Sequence, residues 1–235
     1  MSHFHHILQE CLSYNVRNIS EGNAGEIFMK ILYEDKSIIV CIKPVGTASQ
    51  EGTENSLPDI LKKESGLNEI YTVHRLDTVT SGVMVYAKTK SAASDLTRQI
   101  TENCFKKEYI AAVHGTLEEK EGTMEDFLFK DSRKNKSFVV KRERKGVKKA
   151  KLEYRVIQEN NGFSLVKIKL HTGRTHQIRV QFSSRRHPVY GDGKYGASDN
   201  VPYIALFSHS LTFRHPVSKE PMTFSEPAPQ WEFMK

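Results

Sequence analysis

Four consecutive residues, His74, Arg75, Leu76 and Asp77, bring an imidazole, a guanidinium and a carboxylate into one short stretch, VHRLDTVTSG, that closes on a Ser-Gly turn. Side chains of these types can attack, stabilise a developing charge or move a proton, and loops held by rigid elements are where such chemistry is usually placed. Spacing alone leaves two readings open. Arg75 and Asp77 form a structural ion pair beside a hydrogen-bonded core His74, or all three belong to a site. A second polar cluster, HTGRTHQ, follows Leu170. There Thr175 can cap a helix in which Ile178 and Phe182 form the apolar face, with His176, Arg179 and Ser183 opposite. A zinc site at His171 and His176 is not expected, because their five-residue spacing across a turn comes with no third ligand. His3, His5 and His6 lack a partner carboxylate or cysteine, so no metal is expected there either.

The elements that must hold these groups are read from apolar periodicity. Residues 29–33 and 37–42 predict two strands joined at Glu34-Asp35-Lys36, the second ended by Lys43-Pro44. Ser56-Leu-Pro-Asp59 starts a short helix with Ile60, Leu61 and Leu67 as its apolar positions. Residues 83–87 predict a buried strand, 91–103 a helix capped by Ser91, and 109–114 a further strand. From 151 to 157, Leu152, Tyr154 and Val156 alternate with Lys151, Glu153 and Arg155, as a half-buried strand requires, and Val166, Ile168 and Leu170 repeat the pattern. Strand-like runs at 203–213 and 222–224 close the chain. No linker or repeat divides it, which gives one α+β domain over 29–235 with residues 1–28 as a loosely attached extension.

The 235 residues, 38% hydrophobic and 27% charged, can bury a core without disulfide or metal staples. No apolar run approaches the roughly 20 residues that span a bilayer. The N-terminus carries no secretion signal, so the expected location is the cytoplasm and no membrane partner is expected. Cys11, Cys41 and Cys104 are read as reduced thiols. The formal charge of +7 invites a polyanionic partner, and it has one source: eleven basic residues against two acidic ones between Lys130 and Lys151. Phe138, Val139 and Val140 interleave with these charges, as suits a hairpin that follows a phosphate backbone, with Lys141, Arg142, Arg144 and Lys145 in contact. The alternative is a solvated loop that keeps the protein soluble. A metal-dependent nuclease would need clustered carboxylates, and the sequence offers none.

The segment HRLDTVTSG resembles the HRLDxxTSG motif of the RluA-type pseudouridine synthases, which isomerise uridine in RNA from an N-glycoside to a C-glycoside. Lys43-Pro44 is similar to that family's early Lys-Pro motif, and FKKEYIAAVHG at 105–115 to its central KxY segment. LHTGRTHQIRV at 170–180 and HPVYGDGKYG at 187–196 resemble its late motifs, and SLTFRHP and PMTFSEPAP its closing strands. The resemblance runs from about residue 29 to the C-terminus in the family's order. It implies a mixed, largely antiparallel central sheet with flanking helices, no cofactor, no metal, and ribosomal or transfer RNA as the partner of a monomer.

By the same resemblance, Asp77 is the carboxylate that attacks ribose C1′ and releases uracil to rotate and reattach through C5, by way of an acylal or a glycal. Arg179 is the arginine that pairs with it, and Tyr109 the tyrosine that stacks on the target base. Arg75 fills the gap left by the extruded uridine, whose unstacking costs a few kcal/mol. His74, Thr80 and Ser81 hold the loop, Lys107 contacts substrate, and Arg174, Thr175, His176 and Gln177 support the pocket or contact phosphate. Two departures are expected to lie away from Asp77, Tyr109 and Arg179: Phe207-Ser208 where many members carry His-Ala, and Arg186 where glycine is usual. The family's frequent S4-like domain has no counterpart, and 1–28 is too short to replace it, which shifts RNA docking toward 130–151. Met29 opens the resembling region and is read as the physiological start. The alternative function is a catalytically silent RNA-binding or RNA-folding factor on the same scaffold.

Overall fold

Asp35 turns the first hairpin: its carboxylate accepts hydrogen bonds from the amides of Ser37 (2.7 Å) and Ile38 (2.8 Å), reversing the chain where the apolar pattern breaks. In the computed structural model of the protein, residues 17–19, 29–53 and 56–234 are described. The strands are β1 (Arg17–Ile19), β2 (Met29–Glu34), β3 (Ile38–Lys43), β4 (Tyr71–Thr72), β5 (Ser81–Ala87), β6 (Lys106–His114), β7 (Glu121–Asp131), β8 (Lys136–Val140), β9 (Val147–Asn160), β10 (Phe163–Leu170), β11 (Leu206–Arg214) and β12 (Pro221–Ser225). The helices are α1 (Leu57–Ser65), α2 (Lys90–Thr101) and α3 (Gln177–Ser183). His3, His5, His6 and Cys11, and most of the extension, lie outside the described residues.

Among the described residues the strands join one sheet in the order β1-β2-β3-β5-β11-β6-β10-β9-β7-β8, with β12 on β11 and β4 on β5. Every pairing is antiparallel except that of β5 with β11. The sheet is therefore mixed and largely antiparallel, and the fold is α+β. Alternation sorts β5 between two cores. Met84 and Tyr86 pack with α1 and α3 through Leu57, Leu61, Ile178 and Phe182. Val83, Val85 and Ala87 pack on the other face with Leu96 of α2 and Phe213. Further along that face, Trp231 and Met234 join Ile110, Ala112 and Phe207. One face of the central sheet thus carries α1 and α3, and the groups reported below gather there.

Two caps differ from expectation. Thr89, not Ser91, caps α2, its hydroxyl accepting from the Ala92 amide at 3.2 Å. Either residue type suits the position, and the helix starts where Thr89 is still extended (φ −134). Thr175 does not cap α3: the residue before the helix is His176, in the left-handed region at φ 54, and it makes no side-chain cap. The turn is instead closed by Gln177, whose Oε1 accepts from the Arg174 amide (3.1 Å) and the Thr172 hydroxyl (2.7 Å). Ser56 does cap α1, and Gly66 ends it at φ 63. The basic stretch of 130–151 spans the end of β7, all of β8 and the start of β9, at the edge of the sheet.

Candidate active site

The loop from His74 to Thr80 enters the sheet through Gly82. A Cβ at Gly82 would lie 2.3 Å from the Ser208 carbonyl oxygen and 2.5 Å from its nitrogen, with φ at +121, so only glycine lets β5 meet β11 here. The loop is tied at several points. Thr80 is buried, and its amide donates to the Asp77 carbonyl at 2.9 Å. Ser49 Oγ donates to the Leu76 carbonyl at 2.8 Å. His74 is buried, and its Nε2 accepts from the Val85 amide at 3.1 Å, which makes it the neutral imidazole with its proton on Nδ1. Burial, with the Lys107 charge adding to it, holds that imidazole well below its ordinary pKa.

Lys43 explains the Lys-Pro pair. Its fully buried ammonium donates to the carbonyls of Pro44 (2.7 Å), Thr47 (2.7 Å) and Thr78 (3.2 Å), clamping the loop after β3 to the loop that carries Asp77. Burial lowers its pKa to about 8, and the nearby Asp77 charge works against that fall.

Asp77 meets α3 across the cleft. Arg179 donates from Nη1 to Asp77 Oδ2 at 3.0 Å, while its Nε and Nη2 grip Asp192 at 2.6 and 2.8 Å. The guanidinium is buried, and its pKa is raised: burial opposes the charge, but the Asp192 and Asp77 carboxylates outweigh it. One edge of the fork is thus fixed by a buried carboxylate, and Nη1 on the other edge aims at Asp77. His176 Nε2 stands 3.8 Å from Asp77 Oδ2, and its Nδ1 lies 2.9 Å from the Tyr195 hydroxyl. That hydroxyl also accepts from the Ser137 amide at 2.8 Å, linking the β7–β8 hairpin to the site. Burial keeps the His176 imidazole below its ordinary pKa, with Asp77 opposing.

Tyr109 points into the same cleft from β6, buried at 6% exposure. Burial and the Asp77 charge raise its pKa, with Ser208 beside the hydroxyl offsetting part of the rise, so the phenol holds its proton. Ser208 pairs with Tyr109 across the β11–β6 ladder and with Gly82 across the β11–β5 ladder. This corrects half of one expectation: Ser208 lies beside the Tyr109 hydroxyl, whereas Phe207 packs on the other face of the sheet with Ile110 and Ala112. Arg186, at φ 66, occupies a left-handed position just after α3, which is where glycine costs least.

An open cleft of about 680 Å³ gathers these groups. Asp77, Tyr109, Arg179, Arg75, His74, Thr80, Lys107, Arg174, His176 and Gln177 all line it. Arg75 is exposed on its rim. Lys141, Arg142, Arg144 and Lys145 do not line it: they are exposed in the loop between β8 and β9, where Arg144 lies over the Phe129 ring at 5.4 Å. Asp192 and Tyr195 were not legible as functional residues. Asp192 stands between two glycines, which reads as a turn, and only its grip on Arg179 distinguishes it. Each lies within HPVYGDGKYG, the one sequence signal that could have raised them.

The sequence model of the RNA pseudouridylate synthase family matches residues 37–184, which contain Asp77, Tyr109 and Arg179 in order. The chain belongs to that family. Among curated RNA pseudouridine synthases it is 38% identical over 202 residues to the dual-specificity enzyme RluA of Yersinia pestis, covering 83% of this chain and 97% of that one. An uncharacterized RNA pseudouridine synthase of Mycoplasma genitalium is 33% identical over 205 residues, covering 85% of this chain and 66% of that protein. Against that relative and its Mycoplasma pneumoniae homologue the match therefore spans just under two thirds of the longer chain. The structure of human RNA pseudouridylate synthase domain containing 1 superposes with a TM-score of 0.73 at 25% identity, covering 87% of this chain and 85% of that one.

Proposed function

We propose that this pseudouridylate synthase family member isomerises uridine to pseudouridine in structured RNA, ribosomal or transfer, with Asp77 as the attacking carboxylate. The observation that carries the reading is the fork of Arg179. A guanidinium pinned by a buried carboxylate at Nε and Nη2 turns Nη1 to Asp77, 3.0 Å away, on the wall of a cleft large enough for a nucleotide. A carboxylate oriented in this way can attack C1′ or face the positive charge that grows there as the N1–C1′ bond loosens. Uracil then turns, C5 bonds to C1′, the C5 proton leaves to a base and N1 gains one. The reaction is redox-neutral and moves no group outside the nucleotide, so the reading includes no cofactor.

Tyr109 presents its ring to the base and, keeping its proton, serves as a surface or a donor rather than as the base that strips C5. Arg75, exposed on the rim, takes the space of the extruded uridine. His74 and Thr80 hold the Asp77 loop, while Arg174, His176 and Gln177 shape the turn opposite. The exposed Lys141, Arg142, Arg144 and Lys145 contact RNA outside the cleft. The reading has the protein act as a monomer, in the cytoplasm with its RNA. Among the described residues no helix is long and apolar enough to cross a membrane. Pseudouridine mapping of total RNA from cells with and without the protein tests the reading. Loss of one or more sites, restored by wild type but not by an Asp77→Asn variant that still binds RNA, is the expected result. Restoration by both proteins would refute it.

A further inference from the structure

Lys107 is a half-buried ammonium without a counter-charge. It lies on the cleft wall, partly screened from water, and no described residue gives it a carboxylate or a hydrogen-bond acceptor. Its Nζ stands 5.5 Å from the centre of the Phe105 ring, and a side chain at Gly173 would come within 3.7 Å of it, so it reaches the turn after β10. Its neighbour His74 cannot accept from it, because Nε2 is taken by the Val85 amide and Nδ1 carries the proton. Among the described residues that line the cleft, Asp77 is the one carboxylate, engaged by Arg179, against the cations of Arg75, Lys107, Arg174 and Arg179. A partly desolvated ammonium with no partner is costly, and a cleft richer in cations than in carboxylates points to an anion as that partner.

Position narrows which anion. Lys107 and Tyr109 are two apart on β6, so both side chains leave the same face, about 6.6 Å apart along the strand. With the target base against Tyr109, that displacement is on the scale of one step along an RNA backbone. We propose that Lys107 binds the backbone phosphate adjoining the target uridine, closing an ion pair that the free protein leaves open. The proposal rests on the uridine-isomerase reading above. Burial lowers the Lys107 pKa to about 8 in the free protein, so the pair forms with proton uptake at alkaline pH. The other ionisable groups of the cleft wall are His74, Arg75 and Asp77 from the motif loop, Tyr109 from β6, and His171, Arg174, His176 and Arg179 from the turn and α3.

The test uses a stem–loop transcript spanning the uridine located by the mapping experiment, unmodified or with a single methylphosphonate on its 5′ or 3′ side. Lys107→Gln is expected to raise KM roughly 10-fold, the worth of one charged hydrogen bond, with the effect on KM rather than kcat. At one of the two positions the uncharged linkage should cost wild type a similar factor and cost Lys107→Gln nothing further. Wild-type KM should rise above pH about 8, whereas Lys107→Arg, which keeps its charge, should hold its KM there; the pKa of Lys43 is also about 8, so the readout is KM and not kcat, which titration of the Asp77-loop clamp lowers in both proteins. Additive losses at both positions would overturn the proposal, as would a loss confined to kcat, which would make Lys107 a proton acceptor. In either case turnover of the unmodified stem–loop by wild type leaves the isomerase reading standing, and no turnover would overturn both.

Discussion

Asp192→Asn and Asp77→Asn act on the same arginine, and both should lower activity while only the first lowers stability appreciably. The Arg179 and Asp192 side chains are 6% and 1% exposed, and breaking such a buried pair by neutralising one partner costs about 3–5 kcal/mol. Asparagine keeps one acceptor of the two and Arg179 keeps its bond to Asp77, so the low end applies, about 3 kcal/mol. For a chain of this size that lowers Tm by about 6–12 °C. Released at Nε and Nη2, the guanidinium no longer fixes the Asp77 carboxylate, and a misplacement of about 1 Å is worth roughly 100-fold in kcat/KM. Asp77 itself is 19% exposed and takes one hydrogen bond from Arg179, which an asparagine oxygen can still accept. Asp77→Asn should therefore shift Tm by no more than about 2 °C while abolishing turnover. Thermal unfolding and tritium release from uridine-labelled RNA read both effects. Wild-type Tm and activity in Asp192→Asn, or a larger loss of stability in Asp77→Asn than in Asp192→Asn, would refute the reasoning.

Gly82→Ala, whose Cβ would meet the Ser208 backbone at 2.3 Å, should cost about 3 kcal/mol or more and lower activity through Tyr109, as thermal unfolding and turnover would show. Arg186→Gly relieves a left-handed arginine at φ 66 and should stabilise by about 0.5–1 kcal/mol, read as a raised urea midpoint. His74 is held well below its ordinary 6.5, so below that pH the unfolded chain binds the extra proton. Its contribution to stability is full above about 6.5 and is lost as pH falls; His74→Gln should be less stable at pH 7 but lose less between pH 7 and 5 in urea titrations. Replacing Lys141, Arg142, Arg144 and Lys145 with glutamine should flatten the salt dependence of RNA binding by about 0.7–0.9 in log–log slope for each phosphate no longer neutralised, and an unchanged slope would remove the loop from the RNA surface.

What the sequence discloses here follows the range of the forces involved. Strands β9 and β10 announce themselves because alternation is local, as does the start of α1 through Ser56, although Gly66 ends the helix before Leu67. Asp77 and Arg179 stand 102 positions apart and are joined by motif resemblance, not by any local pattern. The parallel join of β5 to β11, with Ser208 Oγ donating to the Val83 carbonyl 125 positions away, leaves no local trace. Asp192 escapes notice for the same reason, since a carboxylate between glycines reads as a turn until its partner is seen. The cap at Thr89 differs from expectation only in register, where neighbouring residues of suitable type compete, whereas α3 has no side-chain cap and its turn is closed by Gln177.

Joining C1′ to C5 must displace the hydrogen that C5 carries, which makes tritium the most direct witness. Purified wild-type protein and Asp77→Asn are incubated with total RNA labelled by [5-³H]uridine and drawn from cells that lack the protein. Wild type is expected to release tritium to water, and Asp77→Asn to bind the RNA and release none. Release by Asp77→Asn at the wild-type rate would contradict the assignment of the attacking carboxylate.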